Sequence, residues 1–205
     1  MLGAFTAGLL LITISEIGDK TFFIAVILSM RHQRRLVFAG VIAALAAMTV
    51  LSVLLGQALQ FLPEHYIDFA EIALFLGFGF KLLRDAYCMA SGTCTLVEQK
   101  EAEEAIDHCE AKLQKHTLFA VLTQSFVLTF LAEWGDRTQI ATIALAASNN
   151  AYGVTAGAIL GHAICAAIAV IGGRFIAGRI SERTITALGG VLFLLFAIVA
   201  GMEMA

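Results

Sequence analysis

The sequence predicts an all-α integral membrane protein with six transmembrane helices, arranged as two inverted three-helix repeats. Of its 205 residues, 60% are hydrophobic and 14% are charged, and the mean hydropathy is +0.87. A soluble domain of this size would carry far more charge, so the composition places the chain in a bilayer. The apolar runs are continuous rather than alternating, which favours helices over a membrane barrel.

Six apolar runs are long enough to cross a bilayer, which takes about 20 helical residues each. They cover residues 2–29, 36–61, 66–89, 117–147, 152–176 and 184–204. The single proline, Pro63, falls between the second and third runs, so no span is interrupted by proline. The first run lacks a basic leader and contains acids at its centre, so we expect it to be retained rather than cleaved as a signal peptide.

The two halves of the chain are related by an offset of 117 residues. Residues 16–21 read Glu-Ile-Gly-Asp-Lys-Thr, and residues 133–138 read Glu-Trp-Gly-Asp-Arg-Thr. The same offset superposes Gly40 on Gly157, and with a slip of one residue Phe75 and Phe78 match Phe193 and Phe196. Three spans per unit force the second unit to enter the membrane from the opposite side. We predict repeats at 1–90 and 117–205, joined by an acidic linker at 91–116.

The distribution of basic residues predicts the orientation of the spans. Outside the hexapeptides, Lys and Arg fall around the first, third and fifth connections, and both ends of the chain lack them. By the positive-inside rule these connections are cytoplasmic, which places both termini outside. The four cysteines match neither a disulfide framework nor a zinc-ligand spacing.

The linker contains six acids with scattered lysines, which predicts a solvated, partly helical connector. A sharper alternative is a loop that collects cations or regulates the protein. Glu104, His108 and Cys109 could bind a metal, but their spacing does not require it.

Each hexapeptide places charge near the middle of an apolar run. Insertion scales assign about 2.5 to 3.5 kcal/mol to each ionised residue there, so four acids and two bases indicate a function. Because helical residues three apart share a face, each hexapeptide is expected to form a carboxylate pair. The pairs are Glu16 with Asp19 and Glu133 with Asp136.

A purely structural alternative pairs Glu16 with Lys20 and Glu133 with Arg137, four residues apart, as ion pairs that lock the helices. It leaves both aspartates without partners. Counting all six groups, the four carboxylates less Lys20 and Arg137 leave a formal charge of -2 at the pseudo-symmetry axis. One divalent cation or two protons would neutralise that charge, which suggests exchange of one for the other.

The types of ligand atom in the hexapeptides limit which metal ion the site would bind. Carboxylate oxygens are hard ligands suited to calcium, manganese or magnesium, whereas zinc and copper favour His and Cys. Polar neighbours that could assist are Thr21, Thr138, Ser15 and Gln139. Gly18 and Gly135 could allow close approach of an ion or a local unwinding. His162, inside the fifth span, could bind a borderline metal or relay protons, or it could simply pack with a hydrogen bond.

With two copies of Glu-x-Gly-Asp-(Lys/Arg)-Thr, each in the first span of a three-helix unit, the chain resembles the Gdt-one or transmembrane protein 165 family of cation/proton exchangers, also called uncharacterised protein family 0016. The resemblance extends over essentially the whole chain. It implies exchange of calcium or manganese for protons, with the four motif acids as the cation site and the motif threonines as helpers. The length and the lack of a targeting extension resemble the bacterial manganese exporters.

On this basis we expect a secondary transporter in the inner (plasma) membrane, and not an enzyme. It would export Mn²⁺ from the cytoplasm in exchange for protons by rocking one repeat against the other. Ca²⁺/H⁺ exchange is the main alternative, and a cation channel, an intramembrane acid hydrolase and an exporter of cationic amino acids are rival classes. The expected partners are the divalent ion, protons and the lipid bilayer, with no nucleic acid and no cofactor beyond the transported cation. The oligomeric state is left open.

Overall fold

The computed structural model describes residues 1–61, 63–89, 97–110, 117–176 and 182–204. These residues form helices and no strands, as expected for an all-α protein. The helices are α1 (Leu2–Glu16), α2 (Lys20–Arg31), α3 (Arg34–Leu59), α4 (Glu64–Met89), α5 (Val97–Glu110), α6 (Leu118–Glu133), α7 (Arg137–Ser148), α8 (Ala151–Ile176) and α9 (Glu182–Met204).

The first and fourth predicted spans are each broken at the hexapeptide. Helix α1 ends at Glu16 and α6 ends at Glu133, and the axis of α7 is turned by 72° from that of α6. Gly18 and Gly135 have φ values of +83° and +82°, in the left-handed region that glycine enters without a Cβ clash. The prediction that Glu and Asp share one helical face is therefore wrong, because the chain leaves the helix between them. Local unwinding at these glycines was one of the alternatives that the sequence left open, and the structure shows it.

Two helices are long and apolar enough to cross a membrane by themselves. They are α3 and residues 151–172 of α8. The bent pair α6 and α7 makes a third span if it is counted as one, and α1 and residues 186–202 of α9 are apolar but shorter. Within the described residues, length and composition thus support a membrane protein without reproducing all six predicted spans. The breaks shorten the first span, and charged residues interrupt α4.

Packing joins the two halves of the chain crosswise. Helix α1 packs along α8, α6 and α7 pack along α3, and α4 packs along α9. A Cβ atom at Gly40 of α3 would lie 2.7 Å from the carbonyl oxygen of Leu122 in α6. A Cβ atom at Gly157 of α8 would overlap the carbonyl oxygen of Phe5 in α1. Both contacts link sequence-matched positions, so the close helix packing in one half has its counterpart in the other.

Helices α4 and α9 meet through the phenylalanines that match between the halves. The ring centroids of Phe75 and Phe193 lie 5.8 Å apart at an interplanar angle of 65°. Phe78 contacts Phe193 at 5.7 Å, and Phe75 contacts Phe196 at 5.8 Å. Phe75 and Phe193 are both fully buried, so the matched residues form the centre of this interface.

Helix α5 of the linker is docked on α2. Ala102 and Ile106 are fully buried in one apolar cluster with Phe22 and Val26 of α2. Ion pairs flank this contact, with Lys20 Nζ 3.0 Å from Glu101 Oε2 and Arg31 Nη1 2.7 Å from Asp107 Oδ1. The helical part of the linker prediction is confirmed, but a solvated connector is wrong for α5 because one of its faces is buried.

Several residues weighed in the linker are not brought into any site. Glu104 and His108 are exposed, and the side chain of Cys109 lies outside the described residues. Residues 91–96 and 111–116 also lie outside them, which includes Cys94. Among the described residues, Cys88 is an exposed free thiol and Cys165 a buried one.

Candidate cation site at the two helix breaks

The two helix breaks come together inside the protein. Arg137 Nη2, in the second hexapeptide, lies 2.9 Å from Asp19 Oδ2 in the first. The Glu16 carboxylate interacts electrostatically with Glu133, Asp19 and Asp136. All four predicted acids therefore belong to one charged cluster, contributed by both halves of the chain.

The two glutamates are the most deeply buried acids of the cluster and have matching environments. Glu16 is 2% exposed and Glu133 is 4% exposed. The Thr21 hydroxyl donates to Glu16 Oε2 at 3.0 Å, and the Thr138 hydroxyl donates to Glu133 Oε2 at 3.2 Å. Thr21 also interacts with the Glu133 carboxylate, which links the two breaks. Glu16 Oε1 has no hydrogen-bond partner within the described residues, so one oxygen of this buried carboxylate is available to a ligand.

The two aspartates stand at the beginnings of the second half-helices. Asp19 is the N-cap of α2, where its Oδ1 atom accepts from the Lys20 backbone N–H at 2.8 Å. Asp136 occupies the matching position before α7, and its Oδ2 atom accepts from the Thr138 hydroxyl at 3.3 Å. A carboxylate is favoured at a helix N-terminus because the backbone N–H groups there are unpaired and partly positive.

The C-terminal ends of α1 and α6 carry partial negative charge, opposite in sign to the N-terminal ends of α2 and α7. Both helices end at the motif glutamate, where the last carbonyl groups lack intrahelical partners and carry partial negative charge. The backbone carbonyls of Glu16 and Glu133 accept from the N–H groups of Asp19 and Asp136, at 3.3 and 3.1 Å. Broken helices of this kind place carbonyl ends where a cation can be held inside a membrane.

The two motif bases bind partners outside their own hexapeptides. Lys20 pairs with Glu101 of α5, and Arg137 pairs with Asp19. The structural alternative of Glu16 with Lys20 and Glu133 with Arg137 is therefore wrong, and Asp19 is not without a partner. Because Lys20 is neutralised by Glu101, it does not offset the cluster. The formal charge around Arg137 is one unit more negative than the predicted value of -2.

The other predicted residues occupy distinct positions. Ser15 is buried and its hydroxyl has no partner in the described part of the chain. Gln139 Oε1 accepts from the Gly135 backbone N–H at 2.6 Å, so this side chain supports the turn itself. His162 is buried on α8, and its Nδ1 atom has no partner among the described residues.

Two further acids with distinctive environments were not singled out from the sequence as candidate site residues. Glu71 of α4 is 4% exposed, and Glu101 of α5 neutralises Lys20. Glu71 could have been noticed in the sequence, because it is an acid within the third apolar run. No comparable signal marked Glu101, because its contact depends on how α5 docks.

The cluster is not arranged around a metal ion in this conformation. No three Asp, Glu, His or Cys side chains in the described ranges lie close enough together to hold one. The nearest cation to Asp19 is the Arg137 guanidinium. A cavity of about 10 Å³, lined in part by Glu16, Thr21 and Cys165, has room for about one water molecule.

Comparison with known proteins places these motifs among related transporters. A family described as "Divalent cation/proton antiporter GDT1" matches residues 4–90 and 121–205. A GDT1-like protein of Synechocystis sp. is 64% identical over 201 residues, which cover 98% of this chain and 97% of the relative. GDT1-like protein 2, chloroplastic, of Oryza sativa is 45% identical over 207 residues, which cover 95% of this chain and 59% of the relative.

A third relative is the PAM71-homolog protein, chloroplastic, of Arabidopsis thaliana. It is 42% identical over 207 residues, which cover 94% of this chain and 57% of the relative. No solved structure matches the chain.

Proposed function

Because the chain belongs to the GDT1 family of divalent cation/proton antiporters, and is thus a transporter rather than an enzyme, we propose that it exports Mn²⁺ from the cytoplasm in exchange for protons. The resemblance noted from the duplicated hexapeptides is confirmed at the level of the family. The ion, the direction of transport and the residues that bind the ion are our proposal.

The observation that carries this proposal is the meeting of the two helix breaks. Glu16, Asp19, Glu133 and Asp136 approach one another from opposite halves of the chain, and their oxygens are hard donors suited to Mn²⁺, Ca²⁺ or Mg²⁺. Thr21, Thr138 and Ser15 would assist, while Gln139 would support the turn that positions Asp136. Protons would use the same carboxylates, because a buried acid without a cation is least costly when neutral.

Proton transfer to and from the cluster needs a path. His162 is proposed to serve as a relay, since it is buried in α8 and has an unpartnered Nδ1 atom. Arg137 would balance charge within the cluster, whereas Lys20, for which the same role was predicted, balances Glu101 on α5 instead.

The proposed architecture has six spans in two inverted repeats, with α1–α2 and α6–α7 each forming one broken span. The matched contacts of Gly40 with α6 and of Gly157 with α1 support this reading. The packing also changes the expected mechanism. Since most helix contacts join different repeats, one repeat cannot rock against the other as a unit. We propose instead that the α4–α9 pair moves against the group formed by α1–α3 and α6–α8.

The proposed location is the inner (plasma) membrane, with both termini outside and the α5 linker helix in the cytoplasm. The basis is the distribution of Lys and Arg between alternate connections. In this orientation the C-terminal end of α2 and the N-terminal end of α6 face the cytoplasm, together with helix α5, which is docked on α2. An ion entering from the cytoplasm would meet Lys20 and Glu101 before it reached the carboxylates.

Flux measurements in proteoliposomes test the proposal. A proton gradient imposed across the membrane is expected to drive Mn²⁺ transport, and Mn²⁺ transport is expected to move protons in the opposite direction. Ca²⁺ and Mg²⁺ are tested in parallel, and faster exchange of Ca²⁺ would favour Ca²⁺/H⁺ antiport. Rapid Mn²⁺ flux that is indifferent to collapse of the proton gradient would indicate a channel and refute the proposal.

A further inference from the structure

Arg137 occupies a central position among the motif acids. Its Nη2 atom lies 2.9 Å from Asp19 Oδ2, and the guanidinium also attracts the carboxylates of Asp136 and Glu16. These three acids come from both hexapeptides. A cation contributed by the chain itself therefore lies where oxygen ligands from the two halves converge.

Lys20 stands at the matching position of the first hexapeptide but does not enter the cluster. Its Nζ atom lies 3.0 Å from Glu101 Oε2, on the docked linker helix α5. The two breaks are alike in backbone conformation, with nearly equal φ values at Gly18 and Gly135. The difference between the two bases is therefore one of side-chain partners, and Arg137, unlike Lys20, is paired with a motif acid.

The environment of Arg137 does not resemble that of a locked structural ion pair. Its buried Nε atom has no hydrogen-bond partner among the described residues, and its side chain is 30% exposed. A buried pair that only stabilised the fold would need its remaining donors satisfied. Arg137 also lines a cavity of about 20 Å³ with Ser15, Leu82 of α4 and Thr186 of α9. The guanidinium therefore has space beside it in the direction of the α4–α9 pair.

We propose that the Arg137 guanidinium is a tethered competitor of the transported cation, which occupies the ion's place among the carboxylates and must be displaced from Asp19 when the ion binds. This inference rests on the proposed function, since it names a regulator of the same site. It accounts for the absence of a preformed group of three metal-binding side chains in the described residues. In this state the Arg137 guanidinium binds Asp19 and attracts the carboxylates of Asp136 and Glu16.

The competition has a functional consequence. A resident cation weakens binding of the transported ion, so release on the far side of the membrane does not depend on protons alone. Removing the guanidinium is expected to tighten binding and to slow release. Removing Lys20, which is paired outside the cluster, is expected to leave binding nearly unchanged.

Mn²⁺ binding to the purified protein tests this inference, with Arg137→Ala compared with Lys20→Ala as the matched control from the other hexapeptide. Free Mn²⁺ is measured by electron paramagnetic resonance. Arg137→Ala is expected to bind Mn²⁺ at least about tenfold more tightly than the wild type. Millimolar guanidinium chloride should then weaken Mn²⁺ binding to Arg137→Ala by filling the vacated space. It should not weaken binding to the wild type or to Lys20→Ala, with sodium chloride as the salt control.

Insensitivity of Arg137→Ala to guanidinium, or an equal gain of affinity in Lys20→Ala, would overturn the inference, because either result indicates a general effect of net charge. A wild type that binds none of Mn²⁺, Ca²⁺ and Mg²⁺ would instead refute the proposed function. A second measurement uses the wild-type protein, so its outcome does not depend on whether a variant folds. In wild-type protein with isotope-labelled arginine, saturating Mn²⁺ should shift guanidinium infrared bands, and an unchanged spectrum would contradict displacement.

Discussion

Lys20 and Arg137 occupy matching positions in the two hexapeptides, yet their side chains bind acids in different parts of the protein. The Lys20 partner is Glu101 on the linker helix, and the Arg137 partner is Asp19 in the other hexapeptide. The duplicated motif is therefore used asymmetrically. That asymmetry distinguishes residues that the sequence alone treats as equivalent.

The first prediction concerns the two aspartates. Asp19→Asn removes the negative charge that pairs with Arg137, whereas Asp136→Asn leaves that ion pair intact. Loss of one partner of a largely buried pair leaves an uncompensated charge, so Asp19→Asn should lower the thermal unfolding temperature more than Asp136→Asn. Both should impair Mn²⁺ transport in proteoliposomes. Equal unfolding temperatures would show that the pair is absent from the resting protein.

The second prediction concerns the buried glutamates. Glu16→Gln and Glu133→Gln should each abolish Mn²⁺/H⁺ exchange while the protein still inserts and folds, because the amide retains the shape but lacks the negative charge that attracts the ion and has no proton to exchange. The control is Glu104→Gln, at an exposed acid of α5, which should transport normally. Normal export by either buried variant would refute the assignment of the cation site.

The third prediction concerns the helix break. Gly135 has φ +82°, and a Cβ atom there would meet no heavy atom within 4 Å, so the effect of Gly135→Ala comes from backbone conformation alone. The left-handed conformation should cost alanine about 1–2 kcal/mol of stability and should reduce transport. Gly77→Ala in α4, also in open space but helical, is the control and should be neutral or slightly stabilising. Unfolding in detergent measures both.

The fourth prediction concerns the docking of α5. Ile106 is fully buried, so Ile106→Ala should destabilise the contact between α5 and α2 by about 2–5 kcal/mol. Faster hydrogen exchange of α5 amides should accompany this loss. His108→Ala, at an exposed position of the same helix, should change stability by less than about 0.5 kcal/mol. Unchanged exchange in Ile106→Ala would mean that α5 is not held by its apolar face.

The fifth prediction concerns pH. The proposed function has protons and the divalent ion compete for the same carboxylates, so binding of Mn²⁺ should weaken as the pH is lowered. At neutral pH, Mn²⁺ at about 100 times its dissociation constant should stabilise the protein by about 2.7 kcal/mol. The same Mn²⁺ concentration should stabilise it less in acid. Thermal unfolding with and without Mn²⁺ at several pH values measures this, and stabilisation that grew on acidification would contradict shared ligands.

Sequence reasoning succeeded where the evidence was a repeated pattern. The duplicated hexapeptides identified the family and the acids that meet at the centre, and the offset of 117 residues matched Gly40 to Gly157 before their similar contacts were known. These features depend on residue types at fixed spacings. The reading of two inverted three-helix repeats stays a prediction that the crosswise contacts favour.

Other features depend on conformation or on contacts between distant segments. Hydrophobic periodicity does not distinguish a glycine tolerated inside a helix from one that turns left-handed, so the break at Gly18 was considered only as a possibility while Glu16 and Asp19 were assigned to one helical face. The partners of Lys20 and Arg137 could not be predicted, because they depend on the docking of α5 and on the approach of the second break to the first.

The crosswise packing of the helices has a consequence for biosynthesis. When the ribosome has completed α1 to α4, the partners that cover them, α6 to α9, have not yet been made. The groove at Gly40 is then filled by lipid or by the insertion machinery until Leu122 and its neighbours emerge. Assembly of this protein is therefore a late event that follows synthesis of the second half, and a chain truncated before α6 presents an unfinished surface to membrane quality control.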